Sequence, residues 1–322
     1  TKYGWCDDRS REYGYEEQEC LADQAGGSST VVEYTSATPG DYLLHISVDG
    51  VPISGSPPGR ELAPSPYPIV VGPGPTDITQ CYAEGTGASN ARAGDQTVFL
   101  IKLADQFGNV KSPLNSDPVT FECVMVSQSA ASIDLVQGVV SPQVAGYTCV
   151  YTVEKAGAYS ISVKAAPVQT DANGELLSDV KQHISTSPMV LDVKPAHPDP
   201  EYFLVKAGDG SELVNPVYVV GDLVQFQVLA RDQFHNPSTE LCNATSCVRT
   251  PLPDVARITV VHGVEIIENV TVYPPMVDQG TYQVEFTPTI AGECRVQVVV
   301  DGQHVPQSPF QITVESSQLE PS

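Results

Sequence analysis

Apolar residues fall at every second position in short runs along this chain, and the runs come in threes. Tyr42, Leu44 and Ile46 alternate with polar neighbours, as do Tyr159, Ile161 and Val163, and again Cys294, Val296 and Val298. Tyr67, Ile69 and Val71 have counterparts in Met189, Leu191, Val193 and in Phe310, Ile312, Val314. Tyr282, Val284 and Phe286 share a face, as Tyr147, Cys149 and Tyr151 do. A period of two predicts strands with one buried face each. Gly40, Gly157 and Gly292 separate consecutive runs where the chain must turn. Ser65-Pro66, Ser187-Pro188 and Ser308-Pro309 precede the last run of each set, placing proline at a strand start, where its missing N–H costs least.

The spacing of these landmarks sets the size of the unit. From Tyr151 to Phe286 and from Gly157 to Gly292 the distance is 135 residues. Upstream, Ala104-Asp105-Gln106-Phe107-Gly108-Asn109 matches Arg231-Asp232-Gln233-Phe234-His235-Asn236 at a distance of 127. The difference is an insertion between the landmarks, which a loop absorbs at little cost. Such a period exceeds that of solenoid repeats, so each unit is a whole domain of roughly 95–125 residues, the size of a β-sandwich. Pro-rich breaks at Gly72-Pro73-Gly74-Pro75 and at Lys194-Pro195-Ala196-His197-Pro198 predict short, semi-rigid linkers. The expected domains are a partial one at 1–72, retaining only its last strands behind a Cys-stapled N-terminal segment, then 73–194 and 195–316, with a tail at 317–322. The fold class is all-β: tandem sandwiches joined by short linkers.

Composition narrows the function. A net charge of −23 argues against nucleic acid or an anionic membrane surface as partner. No apolar run is long enough to span a bilayer. The chain starts Thr1-Lys2-Tyr3 and reads as a processed or excised piece, so targeting is not read directly. Eight cysteines and two sequons, at Asn243 and Asn269, suit an oxidising compartment and a glycoprotein; reduced core thiols and unused sequons are the alternative. Cys242 and Cys247 would close a short loop around Asn243, and Cys6 and Cys20 would staple the N-terminal segment. Cys294 stands where the other copies have tyrosine and is expected in a core; Cys81 is left over and could pair with another molecule.

Gly280-Thr-Tyr-x-Val-x-Phe-x-Pro288, followed by Gly292-x-Cys-x-Val-x-Val and Ser308-Pro-Phe-x-Ile-x-Val314, resembles the filamin-type immunoglobulin-like repeat. The middle unit is similar, although it lacks the Pro and carries an insertion over about 165–186. The Asp-Gln-Phe-Gly-Asn turn also resembles that of bacterial invasin-like domains. The resemblance covers nearly all of 73–316 and half of 1–72, and it specifies fold rather than function. It implies that Cys123 and Cys149 lie on opposite sheets facing each other, as a disulfide or as two packed thiols. It also implies an open sheet edge at 117–126 or 255–262, able to accept a partner's strand. Among filamin-like proteins, the gamete-surface adhesion proteins of plants and green algae combine such repeats with a secreted ectodomain, as the cysteines and sequons here suggest.

No catalytic, nucleotide or zinc motif is present, no cofactor is implied, and the chain does not read as an enzyme. Asp105 and Asp232, recurring at equivalent turns, read as turn residues bonding their own backbone rather than as calcium ligands. Function is expected where the copies differ. The enlarged 235–254 loop, with His235, Asn236, Glu240 and Arg249, is the candidate for a partner-binding surface. The partner would be a protein: a cell-surface receptor, a second copy, or a neighbouring structural protein. The expectation is an extracellular adhesion or structural array, with gamete recognition as its setting; the alternative is an intracellular cytoskeletal or ciliary scaffold.

Overall fold

The computed structural model describes residues 33–53, 65–115, 118–129, 134–168, 180–214, 216–238, 242–243, 246–247, 256–262, 265–267, 270–273 and 280–316. Cys6, Cys20, Asn269, Glu240 and Arg249 lie outside them. The regular structure of the described residues is strand, apart from single 3-10 turns such as Thr86–Ala88 and Pro200–Tyr202.

In the middle unit one sheet contains Tyr82–Glu84, Gln96–Ala104 and Gly146–Thr152. The other contains Val119–Ser127, Gly157–Pro167 and Met189–Lys194, with Asn90–Arg92 added in parallel. Leu135–Gln143 belongs to both: its second half pairs with Gly146–Thr152 and its first half with Val119–Ser127. The period-two faces meet between the sheets. Phe99, Ile101, Met125, Cys149, Tyr159, Ile161 and Leu191 form a buried cluster, each large apolar side chain contributing on the order of 1.5–3 kcal/mol by leaving water.

The third unit repeats the plan with its own core, which includes Phe203, Phe226, Tyr282, Phe286, Val296 and Ile312. Leu204–Ala207, Val224–Leu229, Thr281–Phe286 and Thr271–Tyr273 make one sheet. Val217–Val219, Phe310–Glu315, Gly292–Val300 and Ala256–His262 make the other. Of the first unit, Gly40–Leu44 pairs with Tyr67–Val71 and Ser47–Val48 with Val51–Pro52.

One ladder recurs in all three units. Gly40 pairs with Val71, Gly157 with Val193 and Gly292 with Val314. The Ser-Pro step has the same role each time. Ser65, Ser187 and Ser308 accept, through Oγ, the N–H of Ile46, Val163 and Val298 at 2.9, 2.8 and 2.7 Å. Each prolyl bond is cis, and the strand begins one residue later, at Tyr67, Met189 or Phe310. The serine therefore satisfies a donor at the point where the proline cannot extend the ladder.

The structure corrects the expected edge in the middle unit. Val119–Ser127 pairs along its length with Gly157–Pro167, and its Cys123–Val126 half is also covered by Leu135–Gly138, so a partner's strand has no open edge over 123–126. In the third unit Ala256–His262 pairs along its length with Gly292–Val300 and at its far end with Glu265–Ile267.

Candidate functional site

The Asp-Gln-Phe-x-Asn turn builds the contact between units. Asp232 is buried, and its carboxylate is saturated by N–H donors. Oδ1 accepts from the backbone of Phe234 at 2.9 Å and Asn236 at 2.8 Å; Oδ2 accepts from the Asn236 side chain and from Ala196 N–H, both at 2.8 Å. Ala196 is in the linker, so this one carboxylate shapes the turn and clamps the linker to it. With its oxygens turned to amides, Asp232 presents none to a cation.

The turn then reaches into the preceding unit. Asn236 Nδ2 donates to the Glu154 carbonyl at 2.8 Å, and Asn236 Oδ1 accepts from Ala156 N–H at 3.0 Å. Lys155 Nζ donates to the Phe234 carbonyl at 2.6 Å. Phe234 and the linker residue Ala196 pack against the core of the middle unit. The Phe234 ring lies over Gly94, whose φ of 80° and absent side chain make room for it; a Cβ there would overlap the ring. The receiving turn is itself braced, because the buried Tyr159 hydroxyl donates to the Lys155 carbonyl at 3.0 Å.

The turn at Asp105 is built the same way. Its carboxylate accepts from Phe107, Asn109 and Gly74 N–H and from the Asn109 side chain. Burial works to raise the Asp105 carboxyl, but the hydrogen bonds from Asn109, Gly74 and Phe107 outweigh it and hold it down at about 2. Asn109 Nδ2 donates back to the Ala37 carbonyl at 2.8 Å. Ala37 in the first unit and Glu154 in the middle unit stand at the same place, three residues before the turn glycine. Sequence reading found the repeated turn and its aspartate but not the reach of its asparagine. The signal was the Asn that recurs four residues after each Asp.

Asn236 thus corrects one expectation: it is 4% exposed and committed to the joint rather than offered to an outside partner. His235 is exposed on the rim, edge-on to Tyr202 with ring centres 5.2 Å apart. It has φ 64°, where the middle copy has Gly108 at φ 80°. Beyond it, Cys242–Asn243 and Ser246–Cys247 pair as two short antiparallel strands, with Cys242 opposite Cys247.

The middle unit brings together the cysteines expected to face each other. Cys123 Sγ and Cys149 Sγ lie 2.7 Å apart, buried and as free thiols. Gly138 lies beneath them; a Cβ there would come within 2.6 Å of Cys149 Sγ and 3.2 Å of Cys123 Sγ. The hydrogen bond to Cys123 and then burial push the Cys149 thiol up. Cys294 is a buried core thiol. Cys81 corrects the intermolecular expectation: it is fully enclosed, with Sγ donating to the Asp77 carbonyl at 3.3 Å.

The family model described as Filamin/ABP280 repeat matches residues 75–190 and 198–311. Among solved structures, the chain is similar to the Escherichia coli adhesin FdeC at 15% identity, covering 86% of this chain and 74% of that one, with a TM-score of 0.43. It is similar to invasin, a bacterial integrin-binding protein, at 13% identity, covering 91% of this chain and 49% of that one, with a TM-score of 0.44. It is similar to the Lin-41 filamin domain at 14% identity, covering 37% of this chain and 98% of that one, with a TM-score of 0.28.

Proposed function

Since the chain belongs to the filamin/ABP280 repeat family, we propose that it is a non-catalytic array of immunoglobulin-like units, divided at 72/73, 194/195 and 316/317, that holds protein-binding surfaces at a set spacing. The observation that carries this is the bond from Asn236 to the Glu154 carbonyl, backed by the clamp of Asp232 on the linker. A Pro-rich linker alone would be a semi-rigid spacer; a linker tied at its own N–H to the following unit transmits orientation as well as distance.

The array acts outside the cell, as an adhesion or structural module, with gamete recognition as the setting its family resemblance suggests. The sequons at Asn243 and Asn269 and the opposed Cys242 and Cys247 support this placement. The partner-binding surface is the 235–254 loop of the third unit without Asn236, which the joint holds; this is where the two complete copies differ most. Intact mass before and after glycosidase and reductant tests the placement; glycans and disulfides are expected, and finding neither overturns it. Replacing 238–250 by the shorter middle-unit turn should reduce partner binding, and unchanged binding overturns this surface.

A second reading, an intracellular cytoskeletal or ciliary scaffold, draws support from the buried, unpaired thiols Cys81 and Cys294. It requires unmodified sequons, so the same mass measurement separates the two.

A further inference from the structure

The middle unit holds the third by a seat made of Gly94, the turn after Val153, and the Glu154 carbonyl. Each part has a counterpart in the third unit. Gly94 donates its N–H to the Val153 carbonyl at 2.8 Å, and Gly221 donates to the Pro288 carbonyl at 3.0 Å. Gly94 has φ 80° and Gly221 φ 90°. Thr289 stands where Glu154 stands, three residues before the turn glycine. The difference is occupancy: the Phe234 ring fills the space over Gly94, whereas among the described residues nothing lies within 4 Å of the equivalent position at Gly221. The rim has also changed. Leu223 and Ile290, 54% and 45% exposed, replace Gln96 and Lys155, so the seat is more apolar than the filled one.

We infer that this end of the third unit is a second seat, built to receive a filamin-type unit carrying an Asp-x-Phe-x-Asn turn. The occupant follows from the filled copy, in which such a turn brings the aromatic ring to the glycine and the asparagine amide to the carbonyl. The aromatic gains more from Ile290 and Leu223 than from Lys155 and Gln96. The unit is joined covalently, because the clamp of Asp232 on Ala196 works on the residue two after the last strand of the preceding unit. The proposal rests on the array reading above.

The test joins a second copy of residues 195–316 directly after Glu315, so that the copy's Ala196 again falls two residues past the last strand. Donor and acceptor dyes, carried on unnatural amino acids, flank either the natural joint or the new one, and single-molecule energy transfer reports the width of each distance distribution. A new joint as narrow as the natural one is expected. F234D in the appended copy alone should destroy that narrowness and leave the natural joint unchanged. A new joint equally broad with and without F234D, beside a narrow natural joint, overturns the second seat. Broad distributions at both joints overturn the array reading as well.

Discussion

The side-chain amide of Asn236 donates to the main-chain carbonyl of Glu154 at 2.8 Å, from one sandwich to the one before it, across eighty-two residues of sequence. Asn109 makes the same bond to Ala37 at 2.8 Å. A side chain four residues after a turn aspartate therefore has two tasks. It completes its own turn through the aspartate carboxylate, and it fixes the preceding unit. Folding of the turn and docking of the unit are coupled through one amide group.

Asn236→Ala removes both tasks. The buried Asp232 carboxylate loses a donor, and Ala156 N–H and the Glu154 carbonyl lose their partner. The unmet buried acceptor on Asp232 costs about 1–3 kcal/mol, and the half-exposed groups on the other side cost less. The third unit should unfold at lower urea concentration, and small-angle scattering should report a broader range of inter-unit orientations. An unchanged scattering profile would sink the role of this residue in the joint.

Asp105 sets a pH dependence. Its folded carboxyl titrates at about 2, below its ordinary value of 3.8. A depressed carboxylate contributes stability that is fully present above the ordinary value and is lost as pH falls through the folded one. Wild type should lose stability between about pH 4 and pH 2. Asp105→Asn should be weaker at neutral pH and show a shallower loss over that window. Parallel slopes for the two proteins in circular dichroism melts would contradict this account.

Cys123 and Cys149 should oxidise to a disulfide with little rearrangement, since their sulfurs already lie side by side over Gly138. The reaction should be slow, because the hydrogen bond to Cys123 and burial keep the Cys149 thiol protonated. Peptide mapping after mild oxidant should recover the linked pair. Gly138→Ala should lower stability and impair the coupling by pressing a methyl group on both sulfurs; efficient coupling in that variant would count against the proposed geometry.

His235 occupies a left-handed position that its counterpart fills with Gly108. Both His235→Gly and His235→Ala lose the edge contact with Tyr202, but only glycine relieves the backbone. The glycine variant should be more stable than the alanine variant by about 1 kcal/mol in urea unfolding. Equal stability would mean that the turn relaxes around either residue.

Much of this architecture was legible in the chain itself. Alternation placed Tyr159, Ile161 and Val163 inward because a pleated strand leaves a side chain no third direction. The repeated Ser-Pro and turn glycines marked the same ladder three times, and the inward face of Cys123 and Cys149 followed from the same period. These are local properties, set by neighbours one or two residues away. What the alternation left open depended on residues far apart in sequence. Leu135–Gln143 pairs with both sheets and covers the Cys123–Val126 half of the edge that Val119–Ser127 would otherwise present. Asn236 faces inward across a domain boundary, although its sequence neighbourhood reads as an exposed loop. Only the tertiary structure decides these points, because strand order and docking are fixed by which distant backbone groups remain to be satisfied, and no local pattern encodes that choice.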